Sequence, residues 1–204
     1  MPATSTDPTD AAALLVNDDG QILLHLRDAH KPIWQAGRWA LPGGGRDPGE
    51  PLADTIAREL REEAGLALPG LSPFAVVESA RTDGRAVRIL VYVGRWNGDP
   101  GRLRLTEGIV LRWTEPAQMR WLTMDPGTEA VIRRYQADPH PHLDAAGQPE
   151  VLRMPKPGGG AVPTLIGAHL YLQRTTSRGI EVFLGRRHPS SAYAPSHWHA
   201  LAVH

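Results

Sequence analysis

Four glutamates and one arginine crowd one short stretch of the chain. Glu50 comes first, then Arg58-Glu59, then Glu62-Glu63, and Gly43-Gly44-Gly45 precede them all. If residues 51–63 form a helix, Glu59, Glu62 and Glu63 cluster on it, because side chains three and four apart are neighbours. On an exposed helix such like-charge pairs cost a few tenths of a kcal/mol each. A divalent cation reverses the sign of that interaction, and Mg²⁺ suits a shell of carboxylate, water and phosphate oxygens. Three glycines permit positive φ and a close backbone approach, so a carbonyl or amide there can meet a metal or a phosphate. Arg58, beside Glu59, is placed to orient a carboxylate rather than to touch an ion. Taken singly, these features have plainer meanings, a solvated helix face and a flexible turn. Their joint order is what points to chemistry on a phosphate chain.

The surrounding pattern predicts the elements that must position these residues. Residues 11–16 and 22–26 are short apolar runs divided by Asn17-Asp18-Asp19-Gly20, a hairpin signal. Residues 38–41 read as a short strand delivering the chain into a glycine loop. In 51–63, Leu52, Ile56 and Leu60, continued by Ala64, form an apolar stripe, with Pro51 suited to the first turn and Gly65 to a left-handed end. Gly70 and Pro73 read as turning the chain. Strands are expected at 75–80 and 85–96 about a turn at Thr82-Asp83-Gly84, and again at 110–113. Residues 128–136 read as a helix with an exposed Glu129–Arg133 pair. Residues 137–163 are rich in Asp, His, Pro and Gly and read as a linker or irregular excursion.

Composition narrows the function classes. The chain has 204 residues, 41% of them hydrophobic, with 22 basic and 22 acidic side chains and no formal net charge. That balance gives no general attraction to nucleic acids or membranes, so nucleotide recognition must be local. Cysteine is absent, which excludes disulfides and Cys-ligated zinc. No apolar run approaches the roughly 18 residues of a membrane-spanning helix, and residues 1–10 do not read as a signal peptide. A soluble cytoplasmic protein is the default expectation.

The order of the glycine and glutamate residues resembles the Nudix hydrolase family. Its signature runs from Gly44 through Glu50 to Arg58-Glu59-Leu60-Arg61-Glu62-Glu63-Ala64-Gly65-Leu66, and no fixed position departs from it. The likeness covers about residues 11–136, including the approach Leu23-Leu24-His25-Leu26-Arg27 and Gly37-Arg38-Trp39-Ala40-Leu41-Pro42. It implies a mixed-sheet α/β/α sandwich of the α+β class, and Mg²⁺- or Mn²⁺-dependent hydrolysis of a nucleoside di- or triphosphate derivative at a phosphoanhydride bond. By the same likeness, Glu59, Glu62 and Glu63 are the metal carboxylates, the Gly43 carbonyl adds a ligand, Arg58 orients Glu59, and Glu50 supports them. Glu59, Glu63 and Glu107, which lies on the loop before Val110, are the alternatives for the general base. Arg27 is a candidate phosphate contact. Trp34, Trp39 and Phe74 are aromatics that could stack on a base, with Trp39 better suited to the core. A small nucleotide is the expected partner, a homodimer stays open, and a non-catalytic nucleotide or metabolite sensor on the same fold is the alternative function.

The domain organisation expected is a catalytic unit at 11–137, a linker at 138–163 and a partial β-rich unit at 164–204. In that last piece, Val182-Phe183-Leu184-Gly185-Arg186-Arg187 and residues 196–204 follow the order of strands leading into the same signature, without its glutamates. His197 and His199 alternate there, but lack the acidic or Cys partners that would favour zinc.

Overall fold

The computed structural model describes residues 7–30, 35–80, 86–154, 168–170, 172–176, 179–186 and 198–203, and beyond Met154 the description is of the backbone. Trp34, the Thr82-Asp83-Gly84 turn, Arg187 and His197 lie outside the described residues. The chain divides into two compact units, Met1–Gly160 and Ala161–His204.

The first unit is built on one mixed sheet. Its strands are β1 (Asp10–Val16), β2 (Ile22–Leu26), β3 (Trp39–Ala40), β4 (Gly43–Gly45), β5 (Ser72–Ala80), β6 (Ala86–Arg95), β7 (Val110–Thr114) and β8 (Val151–Arg153), with helices α1 (Leu52–Ala64) and α2 (Pro126–Ala137). The order is β3-β2-β1-β6-β5-β8, with β4 also on β1 and β7 also on β2. β1 runs parallel to β6 and β5 parallel to β8; the other pairings are antiparallel.

Strand alternation explains the layers, since successive side chains point to opposite faces. From β1 and β2, Leu14, Val16, Ile22 and Leu24 pack with Phe74, Val131 and Ile132, on the side of α2. Ala13, Leu15 and Leu23 pack with Ile56, Leu60 and Ala64, on the side of α1. The expected α/β/α sandwich is what forms. Helix α1 follows its apolar stripe and stops at Gly65, whose φ of 65° lets its amide and the next reach the Arg61 and Leu60 carbonyls.

Three local expectations need correction. The glycine run is a strand rather than a loop: Gly43, Gly44 and Gly45 pair with Ala12, Ala11 and Asp10. A glycine run carries no side-chain periodicity, so only its partner strand defines it. Pro73 lies inside β5, at a bulge between Pro73 and Ala75, upstream of the segment where β8 pairs; there its missing N–H costs no ladder bond to β8. Residues 138–154 are not all irregular. A short turn bonds Asp144 to Gln148, and β8 then joins the edge of β5 through Val76↔Val151 to Glu78↔Arg153.

Among its described residues, the second unit forms a four-stranded sheet of β9 (Ala168–Leu170), β10 (Leu172–Thr176), β11 (Gly179–Arg186) and β12 (Trp198–Val203), in the order β10-β11-β12-β9. No helix among the described residues is long and apolar enough to cross a membrane.

Candidate active site

The glutamate helix lies against the glycine strand because α1 packs on the face of β1 and β4 through Ile56 and Leu60. Residues three positions from that stripe are turned toward the sheet. Glu63 follows Leu60 by three and is 6% exposed; its Oε2 accepts the Gly43 amide at 3.3 Å. Glu59 follows Ile56 by three and faces Gly44, where an added Cβ would stand 2.6 Å from its carboxylate. Gly43 is more tightly constrained. Its φ is 143°, and a Cβ there would meet the Ala11 carbonyl oxygen at 2.3 Å. The two glycines therefore let β4 lie directly on both β1 and the carboxylates.

Arg58 gathers the acidic residues at the edge of this contact. Its Nε and Nη2 donate to the two oxygens of Glu50 at 2.9 and 3.0 Å, a forked pairing suited to a planar guanidinium. Its Nη1 donates to Glu59 at 2.8 Å and to Glu62 at 3.1 Å, and Nη2 also reaches the Gly45 carbonyl at 2.9 Å. Glu50 accepts further bonds from Thr55 Oγ1 at 2.8 Å and the Asp47 amide at 3.2 Å. These contacts, led by Arg58, hold the Glu50 carboxyl down at about 2, and Glu50 in turn raises the affinity of Arg58 for its proton.

Burial acts the other way on the inner pair. It pushes Glu63 up to about 7, with the nearby Glu59 charge adding to the effect. Burial also raises Glu59, against the opposing pull of Arg58. Arg58 pairs with the half-buried Glu59 but makes no bond to the buried Glu63, whose carboxyl stays raised despite the nearby charge of Arg27. A divalent ion fits that deficit, and the missing Cβ of Gly44 leaves room against Glu59. Among the described residues, no three His, Asp or Glu side chains are already gathered to hold an ion; Glu62 instead points outward, with its side chain 61% exposed.

A cavity of about 500 Å³ opens over this contact, within the range of small-molecule sites. Gly43, Gly44, Glu59, Glu63, Arg27 and Glu107 line one part of it. Asp125, Gly127 and Thr128, with Val77, Ile89, Val91 and Val131, line another. Of the residues singled out from sequence, Gly43, Glu59, Glu63, Glu107 and Arg27 thus reach one cavity, while Arg58, Glu50 and Glu62 stand beside it. Phe74 does not face it. That ring is fully buried, 5.7 Å from Tyr135 in an edge contact. Trp39 packs against the core with Arg112 over its ring.

Asp125 and His25 are at the site but not singled out from sequence. Asp125 is buried, caps α2 by accepting the Thr128 amide at 2.8 Å, and has its carboxyl raised by burial. The run Asp125-Pro126 was a legible cap signal, since proline favours the first helical position. His25 is 1% exposed, its ring within 4.0 Å of Glu63. A polar residue closing the apolar run Ile22-Leu23-Leu24 was its only mark.

The NUDIX domain family model matches residues 7–135, well over half of the 204 residues. The chain belongs to the NUDIX family. This NUDIX chain is 34% identical over 121 residues to the putative 8-oxo-dGTP diphosphatase 3 of Mycobacterium tuberculosis, a match covering 54% of the chain and 53% of that protein. It is 36% identical over 86 residues to the nucleoside triphosphatase NudI of Escherichia coli, covering 39% of the chain and 60% of NudI. It therefore spans little more than half the length of the curated relatives it matches. Among solved structures, the MutT protein of Methanosarcina mazei aligns with a TM-score of 0.57 at 25% identity, over 66% of the NUDIX chain and 97% of that one. The NUDIX domain of Shewanella oneidensis NrtR, solved with ADP ribose, aligns at 0.54 over 67% and 92%; at 19% identity that is a likeness of fold.

Proposed function

We propose that this NUDIX chain is a Mg²⁺- or Mn²⁺-dependent nucleotide pyrophosphohydrolase that cleaves a phosphoanhydride bond, with nucleoside triphosphates as its substrate class. One observation carries the reading. A single cavity joins the buried carboxylates Glu59 and Glu63 and the cation Arg27 to a region of apolar strands beside Asp125 and Thr128. Phosphates suit the first part and a base suits the second. The names of the two curated relatives, a diphosphatase and a triphosphatase of nucleotides, agree with that substrate class.

Glu59, Glu63 and the Gly43 carbonyl would hold the metal, with Glu62 at its margin. Bound there, the metal supplies charge neutralisation on the diphosphate and a more acidic water. Arg58 keeps Glu59 in place through its bonds to Glu50 and Gly45. Arg27 faces the phosphates. Glu107 takes the proton of the attacking water as its oxygen bonds to phosphorus and the bridging P–O bond breaks. Glu59 and Glu63 are less suited to that task, since Glu63 accepts from the glycine strand and Glu59 from Arg58. Asp125 and Thr128 offer acceptors and donors to a base edge.

The test is release of phosphate or pyrophosphate across a panel of ordinary and oxidised nucleoside triphosphates, with Mg²⁺ or Mn²⁺. Glu63→Gln should lower turnover by at least about 10²-fold. Equal activity in the variant and the parent would reject the site. Tight nucleotide binding by the parent without metal-dependent turnover would instead identify a sensor.

A further inference from the structure

We propose that His25 is a positioning residue, which fixes the Glu107 loop against the carboxylate helix. The inference rests on the reading of Glu107 given above. His25 belongs to the same strand face as Leu23, the face that packs on α1. Its Nε2 lies 2.9 Å from the Glu107 carbonyl oxygen. A carbonyl only accepts, so Nε2 carries the proton. The other ring nitrogen, Nδ1, lies 4.0 Å from Glu63 Oε2. That nitrogen has no hydrogen-bond partner among the described residues.

The loop is built around this contact. Gly108 has φ 77°, and a Cβ there would fall 1.8 Å from His25 Nε2. On one side of Glu107, the Thr106 amide donates to the Glu63 carbonyl at 2.8 Å and its hydroxyl to the Glu62 carbonyl at 2.5 Å. On the other side, the Ile109 amide donates to the Leu26 carbonyl at 2.8 Å. Thr106 thus ties the loop to the end of α1 and Ile109 ties it to β2. The His25 ring holds the one residue between them whose carboxylate lines the cavity. Without that part-buried bond the Glu107 carbonyl loses its His25 partner, and the peptide is free to rotate.

The experiment compares His25→Leu, His25→Gln, Gly108→Ala and Glu107→Gln by steady-state hydrolysis of a nucleoside triphosphate. His25→Leu removes the donor and should lower kcat by about 10- to 100-fold with little change in KM. His25→Gln keeps a donor and should recover most of the loss. Gly108→Ala displaces the same carbonyl without altering the histidine, and should reproduce the fall in kcat even if His25→Leu does not fold. The double variant His25→Leu/Glu107→Gln should be no slower than Glu107→Gln alone. Equal kcat in His25→Leu and His25→Gln would overturn the proposal. So would a further loss in the double variant. A silent Glu107→Gln beside an active-site defect in His25→Leu would overturn it too, while a silent Glu107→Gln alone counts against the base assignment.

A separate observation supports a second inference. The strand register of the second unit repeats that of the first. Val16↔Ile22 corresponds to Gln173↔Val182, His25↔Ala40 to Gly185↔His199, Leu26↔Trp39 to Arg186↔Trp198, Ala12↔Gly43 to His169↔Ala202, and Ala11↔Gly44 to Ala168↔Val203. Within each strand the correspondence runs without a gap. We infer that residues 168–203 are a second copy of the strand set at 11–44, with Ala202 and Val203 at the positions of Gly43 and Gly44. In the first unit a Cβ at Gly43 would meet the Ala11 carbonyl oxygen at 2.3 Å, and one at Gly44 would push the Glu59 carboxylate out of its place. The second copy therefore cannot form the same contact between glycine strand and carboxylate, and metal-dependent hydrolysis belongs to the first unit alone. The chain lacks cysteine, so engineered pairs report register cleanly. In the full chain, His169→Cys with Ala202→Cys should oxidise to a disulfide and His169→Cys with Val203→Cys should not; the opposite result overturns the register. Glu59→Gln/Glu63→Gln should abolish Mn²⁺ binding detected by electron paramagnetic resonance, and retained tight binding at Ala202 and Val203 would overturn the assignment of the metal to one unit.

Discussion

Within the acidic cluster, carboxylates of the same loop and helix are driven in opposite directions. Glu50 is held at about 2 by Arg58, while Glu63 is pushed to about 7 by burial. The first is a structural anion and the second a site that calls for a cation. Glu50 supplies a pH test of its own. A carboxylate lowered from the ordinary 4.5 to about 2 stabilises the fold fully above 4.5, and that contribution is lost as pH falls toward 2. Glu50→Gln should therefore melt a few degrees below the parent at pH 7, and the gap should close between pH 4.5 and 2. A gap that is constant across that window would show that Glu50 acts by packing and not by charge.

Among the elements, β4 and α1 make the site, and neither does so alone. Helix α1 places Glu59 and Glu63 three residues beyond Ile56 and Leu60, so the same stripe that anchors the helix aims its carboxylates. Strand β4 meets them only because Gly43 and Gly44 carry no Cβ. Gly43→Ala forces a side chain against the Ala11 carbonyl at a φ of 143°. It should cost about 1–3 kcal/mol of stability and lower hydrolysis with it, measured by urea unfolding and turnover on the same preparation. Full stability in Gly43→Ala would mean that β4 is free to move off β1.

In the whole molecule, the boundary of the first unit lies well past α2. Strand β8 covers part of the β5 edge, and the Glu150 carboxylate pairs with Arg134 on α2. Uncovered sheet edges are liable to wrong pairing. A chain ending at Gly160 should keep the turnover of the full chain. One ending at Ala137 should lose roughly 1–3 kcal/mol relative to it and aggregate sooner on heating. Identical thermal unfolding of the two truncated chains would show that β8 is dispensable.

The acidic signature, α1 with its glycine stop, the first hairpin and α2 were legible in sequence, because each rests on local rules: helical spacing, turn residues and caps. Membership of the NUDIX family followed from the same local run. The tertiary structure alone decided what depends on distant neighbours. Strand β4 has no side chains to announce it and exists through β1. Strand β8 is three residues in a proline-rich stretch and exists through β5. His25 and Glu107 are 82 residues apart, and Phe74 is removed from the cavity by its place beneath Tyr135. Short-range spacing determines which groups can share a helix face; only the packed sheet determines which of them are buried, and burial sets their charge.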